Sequence, residues 1–221
     1  MKTAILFGAT GLIGNHLLQL LINNNDYAKV KVFTRKPINK QHSKLEIYNI
    51  DFNKIDNYVS SITGDDCYFC IGTTRKKTPN KKNYIDTELY LPIKIAEITK
   101  YNKIKSFIYV SSSGANSQSK NLYLQNKGKA ESYIINLEFD FTAIIQPSLL
   151  LGNRVEFRLG EMIAQFIFKN ISFIFIGKLK PFKAIKAKTV ATAIIKIIKN
   201  NKNNLYFTSD KLEVLGNIKN N

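Results

Sequence analysis

Thr3-Ala4-Ile5-Leu6-Phe7-Gly8-Ala9-Thr10-Gly11-Leu12-Ile13-Gly14 stands near the amino end and decides the fold. Residues 3–7 form a short apolar run of the kind that makes a buried strand. Leu12, Ile13, Leu17, Leu18, Leu20 and Leu21 then recur at helical spacing. Between them lie three glycines in a GxxGxxG pattern. The segment reads as strand, glycine turn and helix. Such glycines permit a tight turn and a close backbone approach to a pyrophosphate, and the helix amino end offers free N–H groups and a favourable dipole. Residues 3–22 carry no full charge and follow Lys2, a pattern shared by signal peptides and membrane helices. The spaced glycines and the change of period argue against both. So does the polar run Asn23, Asn24, Asn25, Asp26 where a small-residue cleavage site would stand. The expectation is a cytoplasmic protein with no membrane partner.

The alternation of strand and helix continues outward from this turn. Strands are expected at 29–34 (KVKVFT), 44–50 (KLEIYNI), 66–71 (DCYFCI), 106–110 (SFIYV) and 141–146 (FTAIIQ). A helix or loop crossover is expected at 51–61, and helices at 83–101 and 122–137. In the first of these helices Ile85, Leu89, Ile93, Ala96 and Ile98 form the apolar side. Alternation on this scale gives an α/β fold: a doubly wound parallel sheet with helices on both faces. After Pro147 the pattern weakens. A helix at 161–169, a strand at 171–176, a helix at 189–199, a strand at 205–208 and a short helix to 215 are expected. The whole of 1–221 reads as a single domain, with 147–221 as a small lobe on the substrate side.

The composition narrows the function. Lys plus Arg is 33 and Asp plus Glu is 16, giving a formal charge of +17 over 221 residues. That charge invites a nucleic-acid reading. Lys, Asn and Ile are abundant together, however, as an A+T-rich genome favours, and Arg, the preferred residue for bidentate phosphate and guanine contacts, is scarce. No nucleic-acid partner is expected. Two cysteines exclude a disulfide-stapled scaffold, and two histidines leave little for a metal site or a Ser-His-Asp triad. Cys67 and Cys70 form a lone CxxC on a strand, where positions three apart face opposite sides. They read as core thiols, and no metal is expected.

The residues after the second strand choose the nucleotide. An NAD site wants an acid about 20 residues past the glycines to hold the ribose 2′-hydroxyl. Arg35 and Lys36 stand there instead, and a cationic pair suits a 2′-phosphate. NADP(H) is therefore favoured over NAD(H). Farther on, Tyr123 and Lys127 form a YxxxK. At i and i+4 they share a helix face, and a cation beside a phenol makes it a usable general acid. Ser111 and Ser112 end a strand at the edge where open α/β sheets bind ligands.

Glycine turn, strand-end serine and YxxxK occur in the order found in short-chain dehydrogenase/reductases. The sequence resembles their atypical, extended-type branch and, more narrowly, the Tat-interacting-protein-like oxidoreductases. The matching pieces are GATGLIG at 8–14, DF at 51–52, CIGTTR at 70–75, SSSGA at 111–115, YLQNKGKAE at 123–131, PSLLLGNR at 147–154 and RLGE at 158–161. The last two carry a run of Arg154, Glu156, Arg158, Gly160 and Glu161 similar to the family's.

The resemblance implies a Rossmann-type sheet and a set of roles. Gly8, Thr10, Gly11, Leu12, Ile13 and Gly14 would hold the pyrophosphate, and Arg35 and Lys36 the 2′-phosphate. Asp51 and Phe52 would sit near the adenine. Gly72, Thr73 and Thr74 would flank the nicotinamide, and Pro147 and Leu150 would close over it. Tyr123 would pass the proton, and Lys127 would bind the nicotinamide ribose. Ser112, with Ser111 close behind, would orient the substrate oxygen. The short spacing from Ser112 to Tyr123 implies a compact loop over the site. The implied activity is hydride transfer between NADP(H) and a small carbonyl or alcohol. The nine lysines of 162–209, with no acid among them, make an anionic substrate attractive. The rival reading is an NADPH-binding regulatory or scaffold protein with little turnover.

Overall fold

The computed structural model describes residues 1–152, 182–200 and 205–217. Its centre is a seven-stranded parallel sheet. The strands are β1 (Lys2–Phe7), β2 (Tyr27–Thr34), β3 (Leu45–Asn49), β4 (Asp66–Phe69), β5 (Ser106–Val110), β6 (Phe141–Gln146) and, late in the chain, Tyr206–Thr208. That last strand becomes β9, because two short strands precede it: β7 (Leu150–Leu151) and β8 (Ile185–Lys186), which pair with each other. The order across the sheet is β3-β2-β1-β4-β5-β6-β9. The order reverses beside β1, and ligands of open α/β sheets bind at such a switch point, outside the carboxyl ends.

Two cores flank the sheet because successive side chains on a strand point to opposite faces. On one face Leu6, Val32, Ile108 and Ile145 pack under α1 (Leu12–Ile22), with two helices of the last third, α5 (Ala187–Asn200) and α6 (Ser209–Asn217). The labels α2 to α4 belong to Lys81–Ile85, Leu91–Tyr101 and Leu122–Asn136. On the face covered by α3 and α4, strand register builds an aromatic row. Phe33 pairs with Phe7, Phe7 with Phe69, and Phe69 with Tyr109. The ring centroids are 5.1, 6.1 and 5.9 Å apart. Each such contact adds about 0.5–1.5 kcal/mol beyond burial. The row ends on Tyr109, beneath the site described below.

Several expected elements shift in detail. The crossover 51–61 is a short 3₁₀ segment, Phe52–Ser61, kinked at Lys54. The helix expected at 83–101 begins at Lys81 and changes hand-over spacing midway: Asp86–Tyr90 is a π turn between α2 and α3. Pro92 supplies the reason. It has no N–H to give the carbonyl four residues back, and its ring crowds that carbonyl, which belongs to Glu88. The Leu91 N–H instead reaches Asp86 O, five residues back.

The described part of 147–221 divides between two places. β9 joins the main sheet beside β6, and α5 packs on α1. The β7–β8 pair stands apart from the main sheet. The helix expected at 161–169, the strand at 171–176 and the run 154–161 lie outside the described residues.

Candidate active site

The glycine turn lies at the carboxyl end of β1. Gly8 has φ +86°, and a Cβ there would come within 2.6 Å of the Cys70 carbonyl carbon. Both facts demand glycine. A Cβ on Gly14 would fall 2.1 Å from Gly8 O, and the Gly11 N–H donates to that same oxygen at 3.0 Å. The turn thus folds tightly on itself and releases α1 directly at its mouth. Helices α2 and α4 begin with asparagine caps, Asn80 and Asn121, whose side chains accept backbone N–H bonds. Helix α1 has no side-chain cap and no acid in its first turn. Its leading N–H groups are left for an anion, with Thr10, Leu12 and Ile13 in the turn itself. This arrangement fits a dinucleotide pyrophosphate.

Around the turn stand the other expected cofactor residues. Phe33 is in register with Phe7, so Arg35 and Lys36 leave β2 on the same edge as Gly8, both exposed. The Thr34 hydroxyl braces their backbone by donating to Lys36 O at 3.0 Å. Asp51 is exposed, and its carboxylate accepts from Asn53 N at 3.0 Å, capping the 3₁₀ segment. Phe52 lies 6.3 Å from the Phe7 ring. Pro147 O accepts from Ser113 N at 2.9 Å. Leu150 pairs with Ile185, and a Cβ on Gly152 would lie 3.1 Å from Leu12 Cδ2, so the 147–152 segment passes over the start of α1.

The centre of the site is a buried charge pair. Lys127 Nζ lies 3.0 Å from Glu88 Oε2, and the two side chains are 3% and 0% exposed. Nζ also reaches Val110 O at 3.4 Å and sits 4.9 Å above the Tyr109 ring. Burial is the largest single effect and pulls the Lys127 ammonium down, but Glu88, with Tyr109 and Tyr123 behind it, outweighs burial in sum and holds the group well above the ordinary lysine range. The other oxygen of Glu88 accepts the Thr73 N–H. Thr73 also shares a hydrogen bond with Thr78, hydroxyl to hydroxyl at 2.8 Å, and Thr74 accepts from Lys77 N. Gly72 is so placed that a Cβ would stand 3.5 Å from Glu88 and 3.9 Å from Lys127. The Gly72–Thr74 turn, π turn and α4 therefore meet at one point.

Tyr123 lies one turn before Lys127 on α4, partly exposed, with its backbone N–H on the Asn121 cap at 2.9 Å. The two serines part company. Ser111 is buried and gives its hydroxyl to Glu131, which also takes two bonds from Gln146 Nε2 at 3.0 and 3.1 Å. Burial pushes the Glu131 carboxyl up, while those two partners pull it back. Ser112 is partly exposed, and its hydroxyl has a single long contact, Ser113 O at 3.4 Å. The loop between Ser112 and Tyr123 is compact: Asn116 N donates to Leu124 O at 3.1 Å, and its backbone touches α4 at Gly128.

The cysteines lie on opposite faces. Cys67 is in the core with Phe69, and Cys70 packs toward α1. Burial pushes the Cys70 thiol up to about 12, against the pull of Lys127. Among the described residues no cluster of His, Cys, Asp and Glu could hold a metal, and no helix is long and apolar enough to cross a membrane.

Sequence reading missed Glu88, Glu131 and Asn121. Pro92 was the available signal for an irregular turn at Glu88. Glu131 closes a Tyr123, Lys127, Glu131 ladder at four-residue spacing.

A 3-2-1-4-5-6 parallel order with an uncapped glycine turn at its switch point defines a dinucleotide-binding protein of the Rossmann type. Comparison with known proteins narrows this. The NAD(P)H-binding family matches residues 8–201, and the chain belongs to that family, within the atypical short-chain dehydrogenase/reductases. It is 33% identical to protein HTATIP2 of Rattus norvegicus over 77% of this chain and 72% of that one. It is also 33% identical to the mitochondrial protein FMP52 of Candida albicans, over 86% of each. Among solved structures it superposes on the UDP-N-acetylglucosamine 4-epimerase of Methanobrevibacter ruminantium, with a TM-score of 0.67 at 18% identity, over 93% of this chain and 74% of that one. The oxidoreductase ylbE of Lactococcus lactis gives 0.64 at 18% identity, over 97% and 96%. These two likenesses concern the fold.

Proposed function

We propose that the protein is an NADP-dependent oxidoreductase that moves hydride between the cofactor and a carbonyl or alcohol substrate. The observation that carries this reading is the meeting of Tyr123 and Lys127 on α4 with the end of β5, beside the uncapped turn. The bound dinucleotide supplies or takes the hydride. The chain's residues do the rest. Gly8, Thr10, Gly11, Leu12, Ile13 and Gly14 hold the pyrophosphate. Arg35 and Lys36 are exposed cations on the adenosine side, which favours NADP(H) over NAD(H). Asp51 and Phe52 flank the adenine; Gly72, Thr73, Thr74, Pro147 and Leu150 enclose the nicotinamide.

Tyr123 gives its phenolic proton to the substrate oxygen in reduction and takes it back in oxidation, and Lys127 holds the nicotinamide ribose and the charge balance of the phenol. Ser112, with a nearly free hydroxyl, orients the substrate oxygen. The Ser111 hydroxyl is engaged by Glu131, which makes Ser111 the second choice. Lys186 on β8 and the neighbouring Lys183 and Lys188 support an anionic substrate. The cytoplasm is the proposed compartment, although FMP52 relatives are named mitochondrial; cell fractionation separates the two.

The test is a fluorescence titration with NADPH and NADH, then turnover on a carbonyl panel by the parent and Tyr123→Phe. NADPH should bind at least about tenfold more tightly than NADH, a difference of about 1.4 kcal/mol. Tyr123→Phe should keep NADPH binding and lose at least about 100-fold in kcat. Unchanged turnover in the variant would remove Tyr123 from the chemistry. NADPH binding with no turnover across the panel, and partners captured only with NADPH, would favour the regulatory reading.

A further inference from the structure

Lys127 is a full charge placed in the interior, and such a charge survives there only with a partner. The groups that face it come from every element around it. Glu88 approaches from the π turn, at 3.0 Å. Tyr109 lies beneath it on β5, with a buried hydroxyl. Tyr123 and Glu131 flank it on α4, and Cys70 lies at the end of β4. Of the two carboxylates, Glu131 is turned to Ser111 and Gln146. Glu88 alone is in ion-pair contact with the ammonium among the described residues, and it is at the same time the acceptor for the Thr73 N–H.

We propose that Glu88 is the positioning residue of the Tyr123–Lys127 pair: it keeps Lys127 an ammonium in a buried site and ties that ammonium to the Gly72–Thr74 turn. The proposal rests on the oxidoreductase reading for its consequence in catalysis, but not for its physical content. A carboxylate at 3.0 Å compensates the desolvation of the ammonium, which without it would favour the neutral amine. A neutral amine at position 127 would no longer favour charge on the neighbouring phenol, and it would no longer hold the backbone at Thr73 through a shared anion. The π turn has a role in this arrangement. By widening the helix at Pro92 it lets Glu88 and Leu89, adjacent in sequence, both be buried. Such single wide turns recur at functional sites.

The experiment is NMR of the lysine side chains in 13C,15N-lysine protein, with the Lys127 signals assigned by loss in Lys127→Met. The titration is run on the parent, Glu88→Gln and Glu88→Asp, without substrate. In the parent, Lys127 should remain charged to the alkaline limit of the fold. In Glu88→Gln a midpoint should come into view about 2 pH units or more below that limit. Glu88→Asp keeps the charge at a longer reach, and should show a smaller fall of the same sign. Should the Gln variant fail to fold, the Asp variant gives the same reading. A Lys127 that stays charged to the parent's alkaline limit in a folded variant overturns the proposal.

Turnover then separates this result from the broader one. On a reducible carbonyl, Glu88→Gln should lose about tenfold or more in kcat at neutral pH with a new ionisation in its pH profile, and Glu88→Asp should recover part of the loss. An unmoved Lys127 alongside inactive Tyr123→Phe would sink the role of Glu88 and leave the enzyme standing. A shifted Lys127 in a protein with no turnover would keep the role and sink the enzyme.

Discussion

At the residue scale, the Glu88–Lys127 pair makes a stability prediction of its own. The Lys127 pKa is raised in the folded state. Its contribution is therefore fully present below the unfolded lysine value of about 10.4 and is lost as pH rises through the folded value. The loss caused by Glu88→Gln should accordingly be constant between about pH 6 and pH 9. Breaking a buried pair by removing one partner costs about 3–5 kcal/mol, so the melting temperature should drop clearly and by the same amount at both ends of that range. No loss at either end would show that the pair contributes nothing to the fold, and a loss confined to one end would overturn the linkage. Arg35 and Lys36 are the contrasting case. They are exposed charges with no ion pair among the described residues, so their proposed value lies in a 2′-phosphate and not in stability.

At the element scale, helix α4 carries the proposed catalytic pair, Tyr123 and Lys127, and Asn121 sets where the helix starts. The Asn121 side chain accepts from both Tyr123 N and Leu124 N, at 2.9 and 3.2 Å. Asn121→Ala should lower stability by about 1 kcal/mol, as loss of a cap does. Its effect on kcat should exceed its effect on NADPH binding, because the frayed turn contains Tyr123 while Lys127 lies a turn deeper. Calorimetry with kinetics checks this; equal losses in both would mean that the cap only supports the fold. The same helix shows how far the sequence could be read. The i, i+4 spacing placed Tyr123 and Lys127 on one face with no tertiary information. The partner of Lys127 lies 39 positions earlier, beyond a helix, a strand and a loop, and no spacing rule reaches that far.

At the scale of the whole molecule, the charge of +17 has to be set against where it lies. Arg35, Lys36 and Lys127 stand at the carboxyl edge of the sheet, the same edge as the uncapped glycine turn. Others are tied up singly: Lys29 with Glu46, Lys94 with Asp56, and Lys2 with the buried Asp66 at the far end of the sheet. That far end is closed by a network in which Tyr27 donates to Asp66 at 2.7 Å and lies 2.6 Å from the Tyr68 hydroxyl. The protein should therefore fail to retain duplex or single-stranded DNA at physiological salt, where a screening length of about 8 Å removes diffuse attraction. Retention with a steep salt slope would return nucleic acid to consideration.

The α/β alternation, the glycine turn and the Tyr123–Lys127 face were legible without any tertiary information, because each follows from spacings of two to seven residues and from the steric limits of glycine. Which serine has a free hydroxyl is a matter of packing: Ser111 and Ser112 are neighbours just past the end of β5, and Ser111 is buried on Glu131 while Ser112 stays partly exposed. The burial of Glu88 against Lys127 was also decided by the tertiary structure. It depends on a proline-widened turn, the end of β4 and α4 arriving together, and a buried charge finds its partner only when the packing around it is complete.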